Sequence, residues 1–492
     1  MTTTIRDPKY GLCWRSSFVG EYPGWSVEPD ENEIKNLVHR VLFPDQAEVV
    51  CKISFFAEGT FNKLYRIDVP GHTHLIRISL PVEPRVKTAG EVATIEQVRG
   101  LSDVPVPNIR AFSMSNDNEI GFEWMLTDLI PGSPLSICWR KLNMNQKEAI
   151  TKTIARFMAE IFRKKWSEIG SLGSCPSNSN DTHSFLSTTF SIRGTSDIQS
   201  DSDTSIETET DTVLKQDQVH VNNLTLRLGT LLSVDYIGEN ASKTHQGPFK
   251  TDYDWQYGRV RKMMEEEVDV LYQRGDDNDE EEQVDGGKDE EADQEELDVA
   301  KNRLEVFLDL LAILPRVFPV EPVVSCLSHS DMGLQNILAD KDGQITGIID
   351  WEFVSVLPLW TACQFPKFLT GRKRSHEPKR EQYAKGEESE HKTDELQPGM
   401  EPDAEGMPYI YWQHFMEFEQ THLRGIFLSE MRKIEPEWVE IYEASKLKVA
   451  VAQMIDSADW VPGLVKRWVK AFQEGTTLDW DAMRDPGQKY IE

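Results

Sequence analysis

The chain has 492 residues, 39% of them hydrophobic, with thirteen Trp and twenty-one Phe, enough for a sizeable core and more than one domain. Its net charge of −30 is uneven, because residues 265–298 hold eighteen Asp and Glu against only Arg274 and Lys288. That acidity weighs against a nucleic-acid partner, and six dispersed cysteines without a C-x-x-C pair weigh against a zinc module or a disulfide framework.

Residues 1–20 lack a continuous apolar run, and no stretch of about 18 apolar residues occurs, so no membrane association is expected. A cytoplasmic, reducing setting follows, with Arg6, Lys9 and Arg15 beside Asp7 leaving a weak mitochondrial transit peptide as the alternative.

Residues 1–44 read as an N-terminal extension whose 30–43 stretch predicts an amphipathic helix, with Ile34, Leu37, Val38, Val41 and Leu42 on one side. Strand-type runs follow at 49–56, 63–69 and 74–80, then a helix at 86–98, then strands at 109–114 and 123–129. Residues 45–130 therefore read as a small antiparallel sheet with one helix. From 131 to 492 the pattern is helical. A helix at 145–162 takes Asn145 as its N-cap with Glu148 three residues on, another spans about 298–314, and aromatic-rich core helices fill 409–473. Three segments, 174–220, 264–298 and 371–406, cannot offset the entropy of ordering and are predicted to be disordered inserts. The acidic one reads as a solvated insert or as the contact for a protein partner.

The chemistry concentrates near residue 330. His329-Ser330-Asp331-Met332-Gly333-Leu334-Gln335-Asn336 reads H-x-D-x-x-x-x-N, and Ile348-Ile349-Asp350-Trp351-Glu352 is an apolar strand that ends in a carboxylate. Between them Asp340-Lys341-Asp342-Gly343 spells a tight turn between two short strands. Phosphoryl transfer from a nucleotide needs a carboxylate at the acceptor hydroxyl, plus an amide oxygen and a second carboxylate on Mg²⁺. Asp331, Asn336 and Asp350 supply those types in that order.

Further parts of a nucleotide site can be placed upstream. Glu58-Gly59-Thr60-Phe61-Asn62 forms the candidate phosphate lid, with backbone approach at Gly59 and Thr60. Arg77 supplies the cation on the third strand, with Lys63 as a lesser candidate. Glu91 either pairs with Arg77 or closes a local capping box with Thr88. The 125–132 segment would hold adenine through its backbone, with Leu126 and Ile130 flanking the ring.

These residues resemble the aminoglycoside phosphotransferase/choline kinase-like family, over roughly 50 to 370 with the inserts removed. The resemblance implies an α+β, two-lobed protein-kinase-like fold, with a small antiparallel-sheet, nucleotide-binding N-lobe at 45–130 and a larger, mainly helical C-lobe at 131–492. It implies an ATP- and Mg²⁺-dependent phosphotransferase acting on a hydroxyl of a small-molecule acceptor whose identity the sequence does not give. Asp331 would be the catalytic base, Asn336 and Asp350 the metal ligands, Arg77 the phosphate cation and Glu91 its partner. Asp128, Leu129 and Ile130 would meet adenine. Two departures stand out: Arg77 replaces the usual Lys, and Ser330 the common Gly. The competing reading is a pseudokinase scaffold. Glu352, Trp360 and the acids of 409–440 are compatible with a cationic acceptor.

Overall fold

The structure is a computed structural model that describes residues 7, 9–17, 20–46, 48–176, 189–191, 224–238, 243–280, 290–383 and 407–484. Its contacts divide into two units: residues 1–132, 171–241 and 346–355 form the first, and residues 133–170, 242–345 and 356–492 the second.

The first unit opens with a hairpin, β1 (Leu12–Ser17) and β2 (Gly20–Trp25), which the hydrophobic pattern did not announce. Helix α1 (Glu31–Leu42) is capped by Asp30, whose carboxylate accepts from the Asn32 amide at 2.7 Å, and it buries Ile34, Leu37 and Val38. Strands β3 (Lys52–Glu58), β4 (Asn62–Val69), β5 (His72–Ser79), β6 (Ile109–Ser113) and β7 (Glu123–Asp128) follow, with α2 (Val86–Leu101) between β5 and β6. With β10 (Thr189–Ser191) they form one six-stranded sheet of order β10-β6-β7-β5-β4-β3, its described pairings all antiparallel. Along β4, Tyr65, Ile67 and Val69 are buried while Leu64, Arg66 and Asp68 are not, the period-two signal that makes this sheet legible.

Helix α2 is buried nearly all round, from Lys87 to Ile95, because a second ladder packs against it. That ladder pairs β9 (Ser171–Pro176) with β11 (Leu224–Gly229), and it comes so close that a Cβ on Gly90 would meet the Leu172 carbonyl at 3.1 Å. The predicted 174–220 insert thus has a strand in its first residues; most of the rest lies outside the described residues.

The second unit begins with β8 (Ser133–Pro134), α3 (Leu135–Cys138) and α4 (Met144–Phe162). The cap of α4 is Asn143, not Asn145: its side chain accepts from the Gln146 amide at 3.0 Å, and Gln146 returns the bond to the Asn143 amide. Met144 and Asn145 already lie in the first turn. Helix α5 (Asp252–Glu280) packs against α6 (Glu290–Val317). Both run into the acidic segment predicted to be disordered, so only 281–289 of it lies outside the described residues. Ion pairs spaced at helical intervals, Lys262–Glu266 at 2.6 Å and Arg261–Glu265 at 3.5 Å, together with Arg303–Glu267 at 2.8 Å between the two helices, offset part of the charge.

Strands β12 (Ser325–Ser328) and β13 (Ile337–Ala339) flank the 329–336 loop, and β14 (Ile345–Ile348) carries the chain from the second unit into the first. After β15 (Ser355–Pro358) and α7 (Leu359–Ala362), residues 371–383 are loop with one short 3₁₀ turn, and 384–406 lie outside the described residues. The predicted aromatic helices are α8 (Tyr409–Ile434), α9 (Pro436–Ala444), α10 (Lys446–Ser457) and α11 (Pro462–Gln473), followed by α12 (Trp480–Arg484). Their buried Trp438, Trp468 and Phe427 are core residues. No helix among the described residues is long and apolar enough to cross a membrane.

Replacing the observed cap tests the register of α4: Asn143→Ala should lower unfolding stability by about 1 kcal/mol, whereas Asn145→Ala should stay within about 0.5 kcal/mol, as measured by urea titration.

Candidate active site

In the second unit the H-x-D-x-x-x-x-N segment is a compact loop. The Gly333 amide donates to the Asp331 carbonyl at 2.8 Å, and the Asn336 amide to the Gly333 carbonyl at 3.1 Å. The Asn336 side-chain Nδ2 donates to the Asp331 carbonyl at 2.8 Å and to Asp331 Oδ2 at 2.9 Å. That orientation spends the amide nitrogen inside the loop and leaves Oδ1 as the acceptor, the atom type a hard cation takes. The other Asp331 oxygen, Oδ1, accepts from Lys367 Nζ at 2.5 Å. Lys367 was not foreseen; it lies in a short 3₁₀ turn whose Phe368 amide bonds the Met332 carbonyl, which holds the two segments together.

The hairpin turn is as the sequence spells it. Gly343 takes φ +80°, and Asp340 Oδ1 accepts from the amides of Asp342 and Gln344, both at 2.9 Å.

The remaining candidates sit in the first unit. Arg77 on β5 forms an ion pair with Glu91 on α2, both side chains nearly buried. The capping-box alternative fails, because α2 starts at Val86 and Thr88 is already inside it. Arg77 also lies in the field of the Glu352 and Asp350 carboxylates. Asp350 closes the strand with φ +65°, and Phe353 has φ +58°; non-glycine residues hold this region only where the surroundings enforce it. Trp351 between them is fully buried and donates Nε1–H to the Ile348 carbonyl at 2.8 Å.

Sequence reasoning missed Lys87. Its side chain, 1% exposed, reaches Glu352 Oε2 at 2.6 Å and Asn62 Oδ1 at 2.9 Å. Nothing in the sequence singles it out, since a lysine in the first turn of a helix ordinarily faces water. Burial acts to raise the Glu352 pKa, but Lys87, Arg77 and Asn62 together hold it below the ordinary value, so this carboxylate stays ionised. Glu352 is therefore occupied within the unit, not held out for a cationic acceptor. Glu417 and Glu419 of α8 are likewise committed, to Arg374 at 3.0 Å and Lys147 at 2.6 Å, and Trp360 packs on Phe318 with ring centroids 5.5 Å apart.

Lys63, the lesser cation candidate, pairs with Glu28 and Glu58 and lies 5.0 Å from the Trp25 ring. In the lid, the Gly59 amide donates to the Asn62 carbonyl at 2.9 Å, and a Cβ on Gly59 would meet nothing within 4 Å; the neighbouring Thr60 is exposed. Open space of that kind is what close backbone approach by a phosphate requires. At the predicted adenine segment, Leu126 is wholly buried in the core of this unit. The Asp128 amide donates to the Asn108 carbonyl at 3.0 Å and the Leu129 amide to the Thr73 carbonyl at 3.1 Å. The Asp128 carboxylate accepts from Arg110 and Asn108, each at 2.7 Å. Ile130 follows beyond the strand, with no hydrogen bond from its amide among the described residues.

The sequence profile of the phosphotransferase enzyme family matches residues 52–361. A subtelomeric hrmA-associated cluster protein of Aspergillus fumigatus is 32% identical over 123 residues, 24% of this chain and 24% of that protein. Altered inheritance of mitochondria protein 9 of Meyerozyma guilliermondii is 22% identical over 144 residues, 28% of this chain and 24% of that protein. The matched part thus spans roughly a quarter of the length of these relatives. Among solved structures, the apo form of a thermostable mutant of aminoglycoside phosphotransferase APH(4)-Ia matches with TM-score 0.38 and 13% identity, over 91% of this chain and 99% of that one. ADP-bound aminoglycoside phosphotransferase APH(2'')-Ib matches with TM-score 0.39 and 10% identity, over 88% and 91% of the two chains.

One buried acid gives a pH test of this description. Burial pushes the Glu123 carboxyl up to about 7, against the Arg85 amide and Lys87, which favour its charged form. Its folded pKa is above its unfolded one, so the stability it contributes is complete below about pH 4.5 and is lost as pH rises through 7. Unfolding stability should fall by on the order of 3 kcal/mol between pH 4.5 and 8 on this account, and Glu123→Gln should flatten that slope in thermal melts.

Proposed function

The chain belongs to the phosphotransferase enzyme family, and from that membership we propose that it moves the γ-phosphoryl group of ATP, with Mg²⁺, to a hydroxyl of a small-molecule acceptor. The observation that carries the reading is the Asp331 loop, where Asn336 and Lys367 fix both oxygens of one carboxylate in a site still 42% exposed. A carboxylate so oriented can accept the proton of an acceptor hydroxyl as its oxygen attacks the γ-phosphorus and the bond to the β,γ-bridging oxygen breaks.

By atom type, Asn336 Oδ1 and the Asp350 carboxylate would each suit Mg²⁺, and the Asn336 amide is turned so that its oxygen is the spare atom. When bound, the ion offsets negative charge on the phosphate oxygens. Arg77, steadied by Glu91, supplies the fixed cation for the phosphates, and Gly59 the backbone approach. Ile130 offers the hinge amide to adenine.

The acceptor's candidate place is a cavity of about 1350 Å³ in the second unit, beside the segment that carries Lys367. Five basic residues line it, Arg372, Lys373, Arg424, Lys446 and Arg484, against Asp479 and Asp481. By charge alone a hydroxyl compound that bears an anionic group suits this lining better than a polycation, although Arg424 already donates to the Leu369 and Gly371 carbonyls and Arg484 pairs with Asp481. A cytoplasmic setting remains part of the proposal, as the sequence leads one to expect.

Asp331→Asn should cut ATP-dependent phosphorylation by about 10²–10⁴-fold while Mg·ATP affinity in calorimetry stays unchanged. Lys367→Met should lower turnover without abolishing it. The acceptor panel should hold carboxylate- and phosphate-bearing alcohols, sugars and aminoglycosides. Binding of Mg·ATP without transfer to any of them would favour the scaffold reading, and turnover confined to the aminoglycosides would overturn the anionic-acceptor assignment.

A further inference from the structure

We propose that Lys87 is a positioning residue that, with Asn62 and Glu352, forms a buried clamp tying the phosphate lid to the Asp350 segment. The inference rests on the phosphotransferase reading above and deepens it. Lys87 stands one helical turn before Glu91 on the same face of α2, so the helix presents an ammonium to Glu352 and a carboxylate to Arg77.

The clamp is closed on three sides. Lys87 Nζ donates to Glu352 Oε2 at 2.6 Å and to Asn62 Oδ1 at 2.9 Å, and Asn62 Nδ2 donates to the same Glu352 oxygen at 2.9 Å. Ser79 on β5 adds a hydroxyl to Asn62 Oδ1 at 2.9 Å. The rings beside it follow the same path: Phe61 lies 5.2 Å from Phe353, with Lys87 Nζ 5.9 Å from the Phe61 ring.

Each end of the clamp adjoins a functional element. Asn62 is the residue whose carbonyl closes the lid turn on the Gly59 amide. Glu352 is two residues past Asp350 and directly before Phe353, the two positive-φ positions of this segment. A left-handed Asp350 persists only if its neighbours over-determine it, and the Glu352 anchor with buried Trp351 does so. Apolar side chains could fill the same volume at less desolvation cost. What the charged triangle adds is direction: it sets how the lid, α2 and the metal-ligand candidate are oriented toward each other.

The test compares wild type with Lys87→Met by two readouts. Calorimetry measures ATP affinity with Mg²⁺ and with EDTA, and hydrogen exchange follows the nucleotide-free protein. The variant should lose about 10–100-fold of the Mg²⁺-dependent gain in affinity, the range for partners that orient a metal ligand, while metal-free ATP affinity holds. Amides of 58–62 and of 350–353 should exchange faster together. Unchanged Mg²⁺ dependence with only a lower melting temperature would reduce Lys87 to a structural ion pair. Equal loss of metal-free affinity would make it a direct phosphate contact, which also overturns the positioning role. If Lys87→Met does not fold, Lys87→Met/Glu352→Gln removes both charges at once and carries the same readouts. A wild-type protein without Mg²⁺-dependent ATP binding sinks the phosphotransferase reading itself, a result distinct from wild-type dependence that survives in the variant.

Discussion

The first unit depends on keeping four buried charges paired. Arg77 and Lys87 face Glu91 and Glu352 where water is nearly excluded, and each partner is satisfied only while the other is in place. Removing one member of such a pair costs about 3–5 kcal/mol, because the remaining charge is stranded. The pairs also answer a problem of α2 itself. Its N-cap position is Arg85 at φ +69°, with no side-chain cap, and its faces are covered by the sheet on one side and by β9 on the other. A helix buried all round has no solvent-facing stripe to set its rotation. The ion pairs set it, and the Glu123 carboxylate accepts from the Arg85 amide at the uncapped end.

The second unit uses charge differently. Its catalytic-loop candidate is folded by short-range bonds between residues no more than five apart and is tied to distant sequence by Lys367 and by the Phe368 and Ser136 amides on the Met332 and Leu334 carbonyls. Acids elsewhere in this unit that could look functional are already matched, Glu419 with Lys147 and Glu417 with Arg374. The chain's large negative charge sits mainly in the distal parts of α5 and α6 and in the residues between them. The cavity lining is basic within a strongly acidic chain, so net charge says little about what this unit would accept.

This division explains what could be read from the sequence. The sheet was legible because β4 and β5 alternate in burial, and the Asp340–Gly343 turn because Asp and Gly each have a specific task there. The β1–β2 hairpin was not, since Pro23 and Gly24 interrupt β2 and mimic a loop. Asn143 and Asn145 are equally good caps in isolation, and the choice fell to Gln146, which completes the reciprocal bond only with Asn143. The composition of the acidic run also omits the neighbouring helix, where Arg303 of α6 reaches Glu267 of α5. Lys87 escaped for the same reason, since its partners Asn62 and Glu352 lie 25 and 265 residues away in sequence. Local chemistry is written in local sequence; charge burial is written in the fold.

The arginine on β5 then takes on a different meaning. An isolated Lys-to-Arg exchange at a phosphate-facing position trades a compact point charge for a planar fork, and it would be expected to blunt the site. Here the position is not isolated. Glu91, Glu352 and Asp350 all bear on Arg77, more carboxylate than one ammonium could match in direction. A guanidinium carries five donors in a fixed plane and can address several acceptors at once. Lys87 nearby is already satisfied by Glu352 and Asn62, so its point charge anchors the 58–62 turn, while the Arg77 guanidinium pairs with Glu91 and lies in the field of Glu352 and Asp350. Arg77 is one half of a two-cation arrangement, whose other half, Lys87, stands on α2. The pair must be judged together, because Arg77→Lys would trade the guanidinium that faces the buried Glu91 carboxylate for an ammonium with fewer donors.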